Sequence, residues 1–91
     1  MATLKIHVYS DSGHGWARVK RPLLTRLGIA DKITYFSYQR GDWVYLEEDC
    51  DATTLVIALK ENGIEPVFVE HYSHGSSKIR SYDSYYKGEQ A

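Results

Sequence analysis

Residues 3–9 alternate strictly: Leu4, Ile6 and Val8 point one way, and Lys5, His7 and Tyr9 point the other. A period of two belongs to an extended strand, whose successive side chains leave on opposite faces. One face of this strand is apolar and must be covered. The other is polar and meets water. The rest of the chain has to supply the cover and complete the sheet.

The following residues give the elements for this. Residues 10–15 carry Ser, Asp and Gly and form a loop. Residues 16–20 are expected to make a short strand. Pro22 suits the first turn of a helix, where its missing N–H is not needed. Leu23, Leu24 and Leu27 give that helix its apolar stripe, and Gly28 ends it. Residues 33–38 and 43–48 are rich in β-formers, and Gln39, Arg40, Gly41 and Asp42 between them read as a hairpin turn. In the second run Val44 and Leu46 share one face, with Trp43 and Tyr45 on the other. With both faces apolar, such a strand is either central or carries a binding surface. Asp51 is expected to cap a second helix by accepting from the N–H of Thr53 or Thr54. Ala52, Leu55, Val56 and Leu59 follow at helical spacing, and Gly63 closes the helix. Residues 66–72 form the last strand, with Pro66 tolerated at its start.

This order predicts an α+β fold: a small antiparallel sheet with two helices on one face, in the split β-α-β order of ferredoxin-like domains. Residues 1–75 are expected to form a single domain. Residues 76–91 are a polar Tyr/Ser-rich extension, expected to be partly flexible. The sheet face without helices is where a partner is expected to dock. An edge left by the first or last strand makes a homodimer as reasonable an expectation as a monomer.

Composition narrows the function classes. A chain of 91 residues holds one core and buries roughly 60–65% of its surface. A net charge of −1 gives no overall attraction to phosphate or anionic lipid, although a local patch is still free to bind either. The single cysteine, Cys50, cannot form an internal disulfide. No signal-peptide pattern and no apolar run approaching ~20 residues is visible, so the expected location is the cytoplasm, away from membranes. Tyrosine is over-represented, with Tyr72, Tyr82, Tyr85 and Tyr86 late in the chain. It favours both strands and binding surfaces.

Each candidate for chemistry meets a simpler reading. The loop Ser10-Asp11-Ser12-Gly13-His14-Gly15 offers glycines and hydroxyls for an anion-binding nest. It lacks the lysine and helix start of a phosphate loop, so it is read as a strand connection. Glu47, Glu48, Asp49 and Asp51 lack the spacing of a calcium loop and are read as capping and as an acidic patch for a basic partner. His71-x-x-His74 is one close pair, with His14 and Cys50 as further donors. Zinc usually takes two close pairs, so no metal site is expected. Cys50 stands between Asp49 and Asp51, which oppose thiolate formation, so no catalytic role is expected.

Several stretches resemble small uncharacterised proteins of phages and mobile elements. They are Tyr9-Ser10-Asp11-Ser12-Gly13-His14-Gly15-Trp16, Leu27-Gly28-Ile29-Ala30-Asp31-Lys32-Ile33, Ser37-Tyr38-Gln39 and Tyr45-Leu46-Glu47-Glu48-Asp49-Cys50-Asp51. The resemblance covers about half the chain and implies an origin but no activity. The leading expectation is therefore a non-enzymatic protein-binding module without a cofactor. It would dock on a host protein or defence complex and inhibit or modulate it, with Trp43, Tyr45, Glu47, Glu48 and Asp49 in contact. The alternative is a nucleic-acid binder. It would use Arg18, Lys20, Arg21, Lys78 and Arg80 with Tyr82 and Tyr85, since cations interleaved with aromatics grip phosphate and stack on bases. Arg26, Tyr86 and Lys87 belong to the same basic and aromatic set.

Overall fold

The structure is a computed structural model that describes residues 2–85. Tyr86 and Lys87 lie outside the described residues. The chain forms β1 (Ala2–Ser10), β2 (Gly15–Lys20), α1 (Arg21–Arg26), β3 (Tyr38–Arg40), β4 (Trp43–Glu47), α2 (Asp51–Glu61), β5 (Ile64–Tyr72) and β6 (Asp83–Ser84). Short 3-10 turns occupy Ala30–Lys32 and Lys78–Ser81. The strands make one sheet in the order β5-β1-β2-β4-β3-β6.

The fold is α+β, but the expected antiparallel sheet is corrected to a mixed sheet of six strands. β5 runs parallel to β1 in continuous register from Ala2 opposite Ile64 to Ser10 opposite Tyr72. The other pairings are antiparallel. The direction follows from α2, which carries the chain from β4 over β2 and β1 to the far edge; parallel strands need such a crossover. The chain is thus an α+β domain in which the two helices and the sheet share a core.

Local signals explain most elements. Pro22 sits in the first turn of α1, and Gly28 adopts a φ of 75° just after it, a conformation open to glycine. Gly41, with a φ of 60°, turns the β3–β4 hairpin. Pro66 falls on the edge strand β5, where one missing ladder donor is harmless.

Two expectations need revision. Residues 33–37 are a loop rather than a strand. Asp51 does not cap α2; Cys50 holds the cap position, and its side chain makes no capping bond to the helix. Asp51 is instead buried, and its Oδ2 accepts from Thr34 N at 2.9 Å, Thr34 Oγ1 at 2.8 Å and Ser37 Oγ at 2.5 Å. The carboxylate takes the Thr34 N–H, Thr34 Oγ1 takes that of Phe36, Thr34 O that of Ser37, and Ser37 O accepts from Tyr85 N, so these backbone groups of the loop are met without a strand partner.

The main core takes Ile6, Ala17, Val19, Val44 and Leu46 from the sheet and Leu24, Leu55, Ala58 and Leu59 from both helices. Strand alternation sends Trp16 and Tyr45 to the opposite face, where they join Ile79 in a second cluster with Tyr9, Tyr38, Trp43 and Tyr82 around it. β5 and β6 are the outermost strands, so the segment between them crosses the whole sheet. It crosses on the Trp16–Tyr45 face, with Ile79 buried beneath it. Tyr85 then turns back into the main core, with its hydroxyl donating to Ala30 O at 2.6 Å. Among the described residues, no helix is long and apolar enough to cross a membrane.

Candidate functional site

The crossing segment divides the aromatic face into two clefts. Asp11 anchors it. Its Oδ1 accepts from Gly13 N and His14 N at 3.0 Å each, so this loop folds around its own carboxylate. Oδ2 accepts from Ser77 N at 2.8 Å and from Arg80 Nε at 2.7 Å, and Arg80 Nη2 donates to Oδ1 at 2.9 Å. The Arg80 guanidinium, helped by the backbone donors, holds the Asp11 carboxyl well below the usual carboxylate range. The same pair pushes Arg80 upward.

The first cleft has a volume of about 530 Å³. Its walls combine Tyr9, Arg18 and Tyr45 from the sheet with Lys78 and Tyr82 from the crossing segment, and His71 and Tyr72 close one side. Arg18 lies against two rings, with its Cζ 4.0 Å from the Trp43 centroid and 5.3 Å from that of Tyr9. Stacked guanidinium of this kind is held by ring quadrupoles. Arg18 Nε is buried and, among the described residues, has no hydrogen-bond partner. His71 stacks on Tyr9 at 4.7 Å and on His7 at 5.1 Å, and a 2.8 Å contact joins His7 Nδ1 to His71 Nε2. Burial lowers the His7 pKa, and the neighbouring His71, Arg18 and Lys5 lower it further. Burial raises that of Tyr45, with Tyr82 adding to it and Arg18 opposing.

The second cleft, of about 430 Å³, lies across the crossing segment and has a different character. Trp16, Phe36 and Tyr38 are its aromatic walls, and Glu47 and Asp49 supply carboxylates. Glu47 Oε1 accepts from Asp49 N at 2.9 Å and from Cys50 Sγ at 3.5 Å, while Oε2 stands 3.8 Å from His14 Nδ1. Burial pushes the Cys50 thiol up, the wrong direction for a nucleophile.

These clefts sort the residues singled out by sequence. Of the protein-contact set, Tyr45 is only 8% exposed and lines the first cleft, while Glu47 and Asp49 line the second. Trp43 is half-buried under Arg18 and under Lys20, whose Nζ is 4.6 Å from its ring, and Glu48 is exposed. Of the nucleic-acid set, Arg18, Lys78 and Tyr82 meet at the first cleft with Lys20 beside them, whereas Arg80 faces the second. Arg21 donates to Gln39 Oε1 at 2.7 Å and lies over the Tyr85 ring, and Tyr85 itself is buried in the main core. His71 pairs with His7 rather than with His74, which packs edge-on against Tyr72. Among the described residues no three metal-type ligands gather. Sequence reasoning missed Tyr9 as a site residue. The alternation of residues 3–9 placed it on the solvent side of β1, and that signal was sufficient to find it.

No family model, curated protein or solved structure matches the chain.

Proposed function

We propose that the chain is a non-enzymatic binding module for single-stranded nucleic acid, with the first cleft as its contact surface. The observation that carries this reading is Arg18, held against the rings of Tyr9 and Trp43 and lining the first cleft beside Lys78. Arg18 and Lys78 suit phosphate oxygens, and the exposed rings of His71 and Tyr72 suit base stacking. A net charge of −1 is no obstacle, because β1 and β2 put Lys5, Arg18 and Lys20 on this same face.

The test is fluorescence anisotropy of a labelled oligothymidylate over a salt series. Binding by two or three phosphate contacts gives a slope of log K against log salt of about −1.4 to −2.1, and Lys78→Ala makes it shallower by about 0.7. No binding at about 50 mM salt, or an unchanged slope in Lys78→Ala, overturns the reading.

A second reading has its own observation. Phe36, 60% exposed, lies on the second cleft beside Asp49. This arrangement favours a protein-docking module, for which the resemblance to phage proteins suggests a host protein as partner. Nuclease-treated capture from host lysate tests it: a stoichiometric protein lost with Asp49→Lys supports the reading, and capture indifferent to that substitution removes it.

A further inference from the structure

We propose that the second cleft recognises a lysine or arginine side chain carried on a peptide. This goes beyond the nucleic-acid reading, which concerns the other cleft, and gives the docking reading a chemical site.

Charge is the first argument. Glu47 and Asp49 both line the cleft. The one arginine in its wall, Arg80, is already neutralised, because Asp11 takes its Nε and Nη2 through both carboxylate oxygens. A guest cation therefore meets a net negative site. Glu47 Oε1 is engaged by Asp49 N and Cys50, but among the described residues Oε2 has only the His14 contact at 3.8 Å, longer than a hydrogen bond. That oxygen is available to an ammonium or guanidinium donor.

The walls are the second argument. Trp16, Phe36 and Tyr38 line the same space; the Arg80 guanidinium already lies 5.6 Å from the Trp16 ring centroid, which leaves Phe36 and Tyr38 to meet a guest cation. Aromatic faces attract cations within ~6 Å, and acids behind them fix the position of the charge. A volume of about 430 Å³ accommodates one long side chain with its peptide unit.

The third argument selects a peptide over a free amine. Trp16 is almost fully buried, yet among the described residues its indole Nε1 has no acceptor. A buried indole N–H ordinarily finds a partner. Its complement is a neutral carbonyl, and a peptide bearing a basic side chain brings both groups together. The cation lies toward Glu47 and Asp49, and a backbone carbonyl accepts from Trp16.

The two tryptophans make the test specific. Trp16 lines the second cleft, and Trp43 lies outside it, stacked under the Arg18 that lines the first. The full chain, labelled with nitrogen-15, is titrated with acetyl-Gly-Arg-Gly amide and acetyl-Gly-Lys-Gly amide, with acetyl-Gly-Glu-Gly amide as control. The expected result is a saturable shift of the Trp16 indole signal by the basic peptides, at millimolar concentration, with Trp43 still. Asp49→Asn, at an exposed position, is expected to weaken binding several-fold, and Asp49→Asn with Glu47→Gln about tenfold or more. A Trp16 signal that does not move, that moves equally with the glutamate peptide, or that is insensitive to Asp49→Asn overturns the proposal. An oligothymidylate titration followed in the same spectra reads Trp43 instead, so the two readings fail separately.

Discussion

Ile79 offers the sharpest test of how the aromatic face is built. Its side chain is 3% exposed and closes the second cluster against Trp16 and Tyr45. Ile79→Ala removes a methylene and two methyl-sized groups, about 2.4 kcal/mol at ~0.8 kcal/mol each. A cavity term adds to this, but the crossing segment lies on the surface and collapses more easily than a sheet core. The total is therefore placed at about 2.5–3.5 kcal/mol, in the lower half of the range for such truncations. For a chain of this size each kcal/mol moves Tm by ~4–8 °C, which gives a fall of about 10–28 °C. Ile79→Val is expected to cost only about 0.5–1.5 kcal/mol. The assay is urea unfolding followed by tryptophan fluorescence, which sees Trp16 beneath Ile79. If Ile79→Ala lies within ~0.5 kcal/mol of the parent protein, the segment does not hold the face and the geometry of both clefts is wrong.

Three further substitutions probe the two carboxylates that organise the fold. The folded-state pKa of Asp11 is depressed, so its stabilisation is complete above the ordinary carboxylate value of about 3.9 and is lost as pH falls through and below it. Asp11→Asn should therefore be less stable than the parent at neutral pH yet show a flatter acid limb between about pH 5 and pH 2, read by denaturant midpoints across that range. Asp51→Ala leaves Thr34 N–H and the hydroxyls of Thr34 and Ser37 without their acceptor and should cost about 3 kcal/mol or more, measured by thermal unfolding. Asp51→Asn, which keeps an acceptor oxygen, should cost less.

Legibility in the sequence followed the range of the interaction. Period-two alternation correctly separated Ile6 from His7 and Val44 from Tyr45, because facing is a property of neighbouring residues. Pro22 and Gly28 marked the ends of α1 for the same reason. Asp51 was misread because its nearest donors along the chain are in α2, whereas its actual donors come from residues 34 and 37. Ile79 carried no signal. It is a lone apolar residue in a polar stretch, and the Trp16 and Tyr45 it covers are remote in sequence. The parallel direction of β5 was equally invisible, since it is set by where α2 delivers the chain rather than by the composition of the strand. The candidate sites were half legible. Arg18, Lys78 and Tyr82 were singled out together, as were Glu47 and Asp49, but their separation into two clefts depends on the crossing segment.

That crossing has a kinetic consequence. One wall of the first cleft comes from Tyr9 and Ser10, and another from Ser76, Ser77 and Lys78. Contacts spanning most of the chain close late in folding, after the local hairpins have formed. A nascent or partly folded chain therefore displays the β1–β2 aromatics but has no site, and binding competence arrives only with the final closure. Any ligand of that cleft acts selectively on finished molecules. It will raise their apparent stability by mass action and slow the reopening of the crossing segment.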